Sequence, residues 1–238
     1  MKRRQEDILS SNEACRGLRE IVSRKAELGM LFSPKTGSLG LRATCPQAGC
    51  GVAEKFGLQN RYFEDSIEFK CPNHGPHSLC ISDPSDLQKL ELNTPLRNLL
   101  RNHIFHSDVN AHWIQIIGAD YAGTYQEQFL WRPLMRNPGG NAPVIIYSLQ
   151  ILDWSGAKLS KSLYVQKGAY DYLRGMKLEY MLSYDLFRSS SRSLDSVYCI
   201  CADWIETPYK LFRSYTIYHM DALFAEEIAT KERRYIHL

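Results

Sequence analysis

Apolar and polar positions along the chain follow two rhythms, one helical and one of short continuous runs. After Ser10-x-x-Glu13, which has the form of a capping box, mixed apolar and charged spacing to about Leu28 predicts a helix. Residues 33–43, SPKTGSLGLRA, are rich in turn formers and read as a loop. Leucines recur at helical spacing over 87–105, where Pro95 interrupts the pattern. WIQIIGAD, 113–120, predicts a short buried strand that ends in a Gly-x-Asp turn. YAGTYQEQFLWRPL then suits a helix that stops near Pro133. APVIIYSLQILDW, 142–154, predicts a second strand. Strand, helix, strand in that order implies a parallel pair. Everything after Ser162 reads as helical, with Tyr170, Leu173, Lys177, Tyr180, Met181 and Tyr184 on one stripe.

The chain has 238 residues and a formal charge of +3, which permits contact with nucleic acid without requiring it. No run approaches the roughly 20 apolar residues of a membrane span. The charged N-terminus does not resemble a signal peptide, so the expectation is a soluble, cytoplasmic protein with no membrane partner. Seven cysteines do not suggest a disulfide framework in that setting. Cys15, Cys80, Cys199 and Cys201 stand apart and read as buried structural residues.

The remaining cysteines form the sharpest pattern. CPQAGC at 45–50 and CPNH at 71–74 are tight turns that each point two soft ligands inward. A hairpin between them would bring Cys45, Cys50, Cys71 and His74 around one tetrahedral zinc ion, with His77 as the alternative fourth ligand. Four protein ligands leave no open position, so the zinc is expected to be structural and to fix a lobe too small for its own core.

Polar residues gather at the two strand ends. The first carries Gly118 and Asp120; the second leads through Asp153 and Gly156 to Lys158, Ser160, Lys161 and Ser162. In parallel sheets ligands bind at such ends, and this set suits a nucleotide or an RNA end. Asp120 as a helix cap beside solvated lysines is the plain alternative. Asp108, just upstream, could pair with a cationic substrate group. The C-terminal part mixes aromatics with cations, from Tyr170, Tyr172 and Arg174 to Tyr209, Lys210, Phe212 and Arg213. That mixture suits RNA contact, and core packing explains the tyrosines equally well.

Lys158-Leu-Ser-Lys-Ser162 resembles the KMSKS loop of class I aminoacyl-tRNA synthetases. The order of features resembles the second half of the class I lysyl-tRNA synthetase catalytic domain, over roughly residues 12–165. There a helix leads into a ribbon with CP-type knuckles, a VDW…W stretch, a strand ending in Gly-Lys-Asp-His, a helix, a strand and the loop. Here the counterparts are CPQAGC…CPNHG, Asp108 to Trp113, Gly118-Ala-Asp120-Tyr121, PVIIYSLQIL and Lys158 to Ser162. The HIGH motif of the first half has no counterpart, and Tyr121 replaces the family histidine.

The resemblance implies an α/β fold: a partial Rossmann-like class I synthetase domain with a parallel sheet, a zinc-ribbon insertion and a C-terminal helical region. The expected divisions are 1–43 (helix and loop), 44–82 (ribbon), 83–165 (Rossmann-like half with the loop) and 166–238 (helical region). Without HIGH, amino-acid activation lacks half its phosphate stabilisation. The logic then resembles that of cyclodipeptide synthases, including their fungal arginine-containing branch, which join amino acids taken from aminoacyl-tRNA. That reading implies Asp120, Tyr121 and Glu127 as catalytic, and Asp108, Trp113 and Gly118 as substrate-binding. Lys158, Ser160, Lys161 and Ser162 would hold tRNA phosphates. ATP is not expected as a cofactor; a synthetase-like ATP-dependent ligase, or a tRNA-binding module without catalysis, are the rival expectations.

Overall fold

A computed structural model describes residues 10–134, 140–159 and 168–236, with side chains to 226. The chain divides into two compact units, Met1–Gln115 with Ala122–Ile146, and Ile116–Tyr121 with Tyr147–Leu238. Each is a mixture of helices and small sheets.

The first unit opens with helix α1 (Asn12–Ser23) and helix α2 (Lys25–Phe32). The cap of α1 is Ser11, one residue later than the sequence pattern suggests; its hydroxyl accepts from the Ala14 N–H at 3.1 Å. The expected single helix breaks at Arg24, whose guanidinium is held by Glu27 and the Pro133 carbonyl. Strand β1 (Leu41–Ala43) emerges from the predicted loop and pairs antiparallel with β5 (Leu90–Leu92). Strands β2 (Arg61–Tyr62), β3 (Ser66–Cys71) and β4 (Gly75–Cys80) make an antiparallel sheet in that order. After the short helix α3 (Pro84–Leu87) and β5 comes helix α4 (Thr94–Ser107).

Pro95 starts α4 rather than interrupting a helix. In the first turn its missing N–H is one that would have no intrahelical partner. Asn93 caps the same turn by accepting from the Leu96 N–H at 2.9 Å. Helices α1 and α4 pack closely at Gly17, where a Cβ would lie 2.8 Å from Leu100 Cδ1 and 3.1 Å from His103 Nδ1. The unit's core joins Leu18 and Ile21 of α1 with Leu96, Leu99 and Leu100 of α4 and Ile67 and Phe69 of β3. Ile67 is fully buried there, so the ribbon strands share this core.

Strands β6 (Ile114–Gly118) and β7 (Val144–Ser148) pair. The Val144 N–H donates to the Trp113 carbonyl and the Ser148 hydroxyl to the Ile117 carbonyl. The offset is 31 residues at both places, so the strands run parallel, as expected. β6 is less buried than its apolar run suggests: Ile114 and Ile116 share one face of the pleat and are 62% and 73% exposed. Between the strands, Ala119–Tyr121 is a 3-10 turn and Thr124–Trp131 a π-helix, where sequence suggested a plain helix. The Arg132 N–H accordingly reaches the Glu127 carbonyl, five residues back.

In the second unit, β8 (Ile151–Leu152) pairs parallel with β9 (Tyr215–Thr216), a strand inside the region expected to be all helical. The rest is α5 (Asp171–Gly175), α6 (Tyr184–Ser189), α7 (Leu194–Glu206) and α8 (Ile217–Ile236), with 3-10 turns at Glu179–Met181 and Pro208–Phe212. The expected Tyr170–Tyr184 stripe is therefore no single helix. The chain turns at Lys177, whose φ is 59°, outside the helical region. Tyr170, Leu173 and Tyr180 instead fold inward with Ile200, Ile217 and Phe224 as the core of this unit. Among the described residues no helix is long and apolar enough to cross a membrane.

Replacing Leu18 by Ala should cost about 2–5 kcal/mol through the cavity it leaves. Ser11→Ala should cost about 1 kcal/mol through the lost cap. Urea unfolding followed by circular dichroism checks both values.

Candidate functional site

The two knuckles meet. Cys45 leaves β1, and its N–H is tied to the Val52 carbonyl at 2.9 Å; Cys50 closes the first turn on Gln47 at 3.1 Å. The second knuckle is the turn between β3 and β4, where Cys71 pairs with Gly75. Gly75 has φ of 80°, which a side chain would disfavour.

Sγ of Cys45, Cys50 and Cys71 and a ring nitrogen of His74 lie within 4.8 Å of one another, the one such group among the described residues. Cys45 Sγ is 3.5 Å from His74 Nδ1, Cys71 Sγ 3.7 Å from the same atom, and Cys50 Sγ 3.8 Å from Cys71 Sγ. A tetrahedron with metal–sulfur bonds of about 2.3 Å has edges of about 3.8 Å, slightly shorter where nitrogen replaces sulfur. Three of the six separations thus match such edges, all lie within 4.8 Å, and the group could hold a metal ion.

The electrostatics agree with that geometry. Burial would raise the Cys71 thiol, but the N–H groups of Asn73 and His74, with the His74 and Cys45 side chains, bring it to about 6. At Cys45 the Gln47 N–H lowers the thiol, yet burial and the neighbouring Cys71 and Cys50 raise it on balance. Three thiols this close cannot all ionise without a cation among them. His77 lies outside the group. It sits on β4, stacked on Phe69 at 5.8 Å, with both ring nitrogens buried and unbonded. Of the four cysteines expected to be buried only Cys15 is; Cys80 and Cys199 are half-buried and Cys201 is exposed.

The strand-end residues form a second constellation, in the second unit. β6 ends at Gly118, and the Asp120 carboxylate folds back over it, into the space a Cβ would need. Lys158 Nζ donates to Asp120 Oδ2 at 2.5 Å. This hydrogen bond, opposed by burial and helped by the lysine's charge, holds the Asp120 carboxyl below its ordinary value.

Lys158 is delivered by a turn that Asp153 organises. The Asp153 carboxylate accepts from the Ser155 hydroxyl at 2.7 Å and from the N–H groups of Ser155 and Ala157 at 2.8 and 3.1 Å. Its pKa is lowered, chiefly by the Ser155 hydroxyl. Lys158 then bridges Leu152, and Leu159 donates to Ile151 at 2.8 Å. Asp153 has no role among the expected catalytic or binding residues, although Asp followed by Ser and Gly two and three residues on is the pattern of a side-chain-closed turn.

The other expected site residues divide between the units. Asp108 ends α4 and accepts from the Trp113 indole at 3.2 Å, while Trp113 stacks on Phe105 at 4.2 Å. Asp108 also lines a cavity of about 270 Å³ with Glu13 and Arg16. Glu127 pairs with Arg132 at 3.1 Å, and Tyr121 is partly exposed. Asp108, Trp113 and Glu127 belong to the first unit, and Gly118, Asp120, Tyr121 and Lys158 to the second. Ser160, Lys161 and Ser162 lie outside the described residues. Of the aromatics suited to RNA, Tyr170 and Tyr180 are buried; Tyr209 and Phe212 are exposed.

No protein-family model, curated protein or solved structure matches this chain.

Purified protein should carry one metal ion per chain by elemental analysis. Cys50→Ala and His74→Ala should each remove it, and His77→Ala should not. Chelation should lower the melting temperature of the wild type and leave that of Cys50→Ala unchanged.

Proposed function

We propose that the chain is a tRNA-dependent aminoacyltransferase of cyclodipeptide-synthase type, on a partial class I synthetase-like scaffold. The observation that carries this reading is the contact of Lys158 with Asp120, which joins the KMSKS-like loop to the Gly-x-Asp strand end. The parallel β6–β7 pair supports the same scaffold. The Cys/His group fits zinc, by its three thiolates, one imidazole and tetrahedral spacing. All four positions are protein ligands, so the ion's role is to hold the β1 and β3–β4 turns together.

In the reaction, the α-amine of one aminoacyl group attacks the ester carbonyl of another. An N–C bond forms, the C–O bond to the tRNA ribose breaks, and the amine proton passes to the leaving ribose oxygen. The free α-amine of the resulting dipeptidyl-tRNA then attacks the remaining ester carbonyl; the second N–C bond closes the ring, the C–O bond to the second tRNA ribose breaks, and the amine proton passes to that ribose oxygen. The ester already carries the activation, so the protein's work is positioning. A tRNA phosphate competes with Asp120 for Lys158, alongside Lys161, Ser160 and Ser162. Lys158 then turns to the phosphate, and the freed Asp120 carboxylate takes the substrate's ammonium or cationic side chain. Tyr121, beside Asp120 in the same unit, relays the proton.

The test is mass spectrometry of products from purified protein and total charged tRNA, with and without ATP, with RNase as control. A diketopiperazine formed without ATP and lost with RNase supports the reading; an adenylate, or a product needing ATP but no RNA, overturns it in favour of a ligase. Bound tRNA with no product leaves a binding module. Lys158→Ala should weaken tRNA binding roughly tenfold, the scale of one charge-assisted contact. Asp120→Asn should keep tRNA binding and lose product. Because the Asp120 carboxyl is held low, its pairing is present above the ordinary carboxylate value, about 3.9. It is lost only as pH falls through the lower folded value. Activity should therefore show no acid limb from Asp120 above about pH 5.

A further inference from the structure

The turn that delivers Lys158 also raises a tryptophan into water. The apolar run reads as strand up to Trp154, but β8 ends at Leu152. The chain then loops through Trp154, Ser155 and Gly156 and returns antiparallel, with Lys158 opposite Leu152. The Asp153 N–H donates to the Ala157 carbonyl at 2.8 Å, and the Gly156 N–H to the Asp153 carbonyl at 3.1 Å. Gly156, with φ of 82°, is the left-handed residue that closes such a loop. Trp154 stands at the first corner and is 66% exposed, although tryptophan is on average a well-buried residue.

The indole is exposed yet held. Tyr172 of α5 meets it at 80°, with ring centroids 6.5 Å apart. That is its one ring contact among the described residues, and it covers at most one face, so the other is left for a flat partner. The backbone beneath is fixed by the Asp153 carboxylate, which takes donors from Ser155 and Ala157. A flat side chain on a fixed turn offers contact area at little cost in lost freedom.

The surroundings select the partner. Asp153, the loop's one acid, is buried and occupied by the loop's own donors. Trp154 to Lys158 are all exposed, and a Cβ at Gly156 would meet nothing within 4 Å, so the approach is open. Trp154 lies two residues beyond Leu152, the residue opposite Lys158. With strands about 4.8 Å apart and a rise of about 3.3 Å per residue, the Cα atoms of Trp154 and Lys158 stand about 8 Å apart. One hairpin thus presents a π-face and an ammonium together. A flat neutral ligand would leave the lysine unused, and a bare anion would leave the indole unused.

We propose that the 153–158 hairpin is a nucleotide subsite, in which the Trp154 indole stacks on a base and Lys158 takes a phosphate joined to it. The inference rests on the proposed role of Lys158 as a phosphate ligand and adds the residue that holds the base. Two sources carry this chemistry, the unpaired 3′ end of tRNA and free ATP.

Fluorescence anisotropy of tRNA labelled at its 5′ end tests the first source, with tRNA trimmed of its unpaired 3′ nucleotides as the comparison. Trp154→Ala should raise the Kd of intact tRNA roughly 5- to 100-fold, the scale of one stacked base. Trp154→Phe should keep most of the affinity. Trimmed tRNA should bind the wild type more weakly, and Trp154→Ala should weaken it no further. Calorimetric titration with ATP tests the second source, for which Trp154→Ala lowers ATP affinity and leaves tRNA affinity unchanged. Either pattern supports the subsite and identifies its source. Trp154 is exposed, so circular dichroism should show both variants folded. A Trp154→Ala protein that binds both ligands as the wild type does overturns the proposal. So does one that loses trimmed tRNA as strongly as intact tRNA, or a wild type that binds neither ligand. The transferase reading is judged separately, by product. Ring-dependent tRNA binding without a diketopiperazine removes that reading and keeps the subsite; a diketopiperazine from a protein whose binding ignores Trp154 does the reverse.

Discussion

The close approach of three thiols and an imidazole is the constraint on which the first unit rests. Cys45 and Cys71 are distant in sequence, and holding them together closes a long loop, which removes freedom from the unfolded chain. The same closure fixes the β3–β4 turn. That turn sets the register of Ile67 and Phe69, which point into the core shared with α1 and α4. Strands β3 and β4 are therefore a wall of the core, with the Cys/His group at their outer end and apolar packing at the inner end. The expected lobe without a core of its own instead takes part in the core of the unit, through Ile67 and Phe69.

What was legible in the sequence follows how local the physics is. The knuckles were legible because proline and glycine turns fix ligand direction within a few residues. The parallel β6–β7 pair followed from element order alone. Helix boundaries were less so. Ser10 and Ser11 are equally good caps on paper, and only backbone geometry selects Ser11. Pro95 breaks a helix or begins one depending on a single residue of register, and Asn93 supplies the cap that decides it. The Tyr170–Tyr184 stripe misled because three short pieces can share the spacing of one helix, and the turn at Lys177 leaves no mark on periodicity. β9 is two residues long and gains its identity only from β8, far away in sequence.

At the strand ends, the sequence showed which residues were polar but not which of them met. Asp120 and Lys158 are brought together because Asp153 spends its carboxylate on the turn between them. A residue chosen for chemistry was thus found beside one whose work is architectural. Asp108 illustrates the reverse: its carboxylate is engaged by the Trp113 indole and the Asn110 N–H.

The division of the chain bears on how it is made. The backbone passes between the two units at 115/116, 121/122 and 146/147, so neither unit can be released by one cut. On the ribosome, the first unit has all its residues once 146 has emerged. Residues 116–121, with Asp120 among them, must then wait for 147 onward before their own core exists. The strand-end constellation thus cannot form until Lys158 has emerged, after the first unit has all its residues.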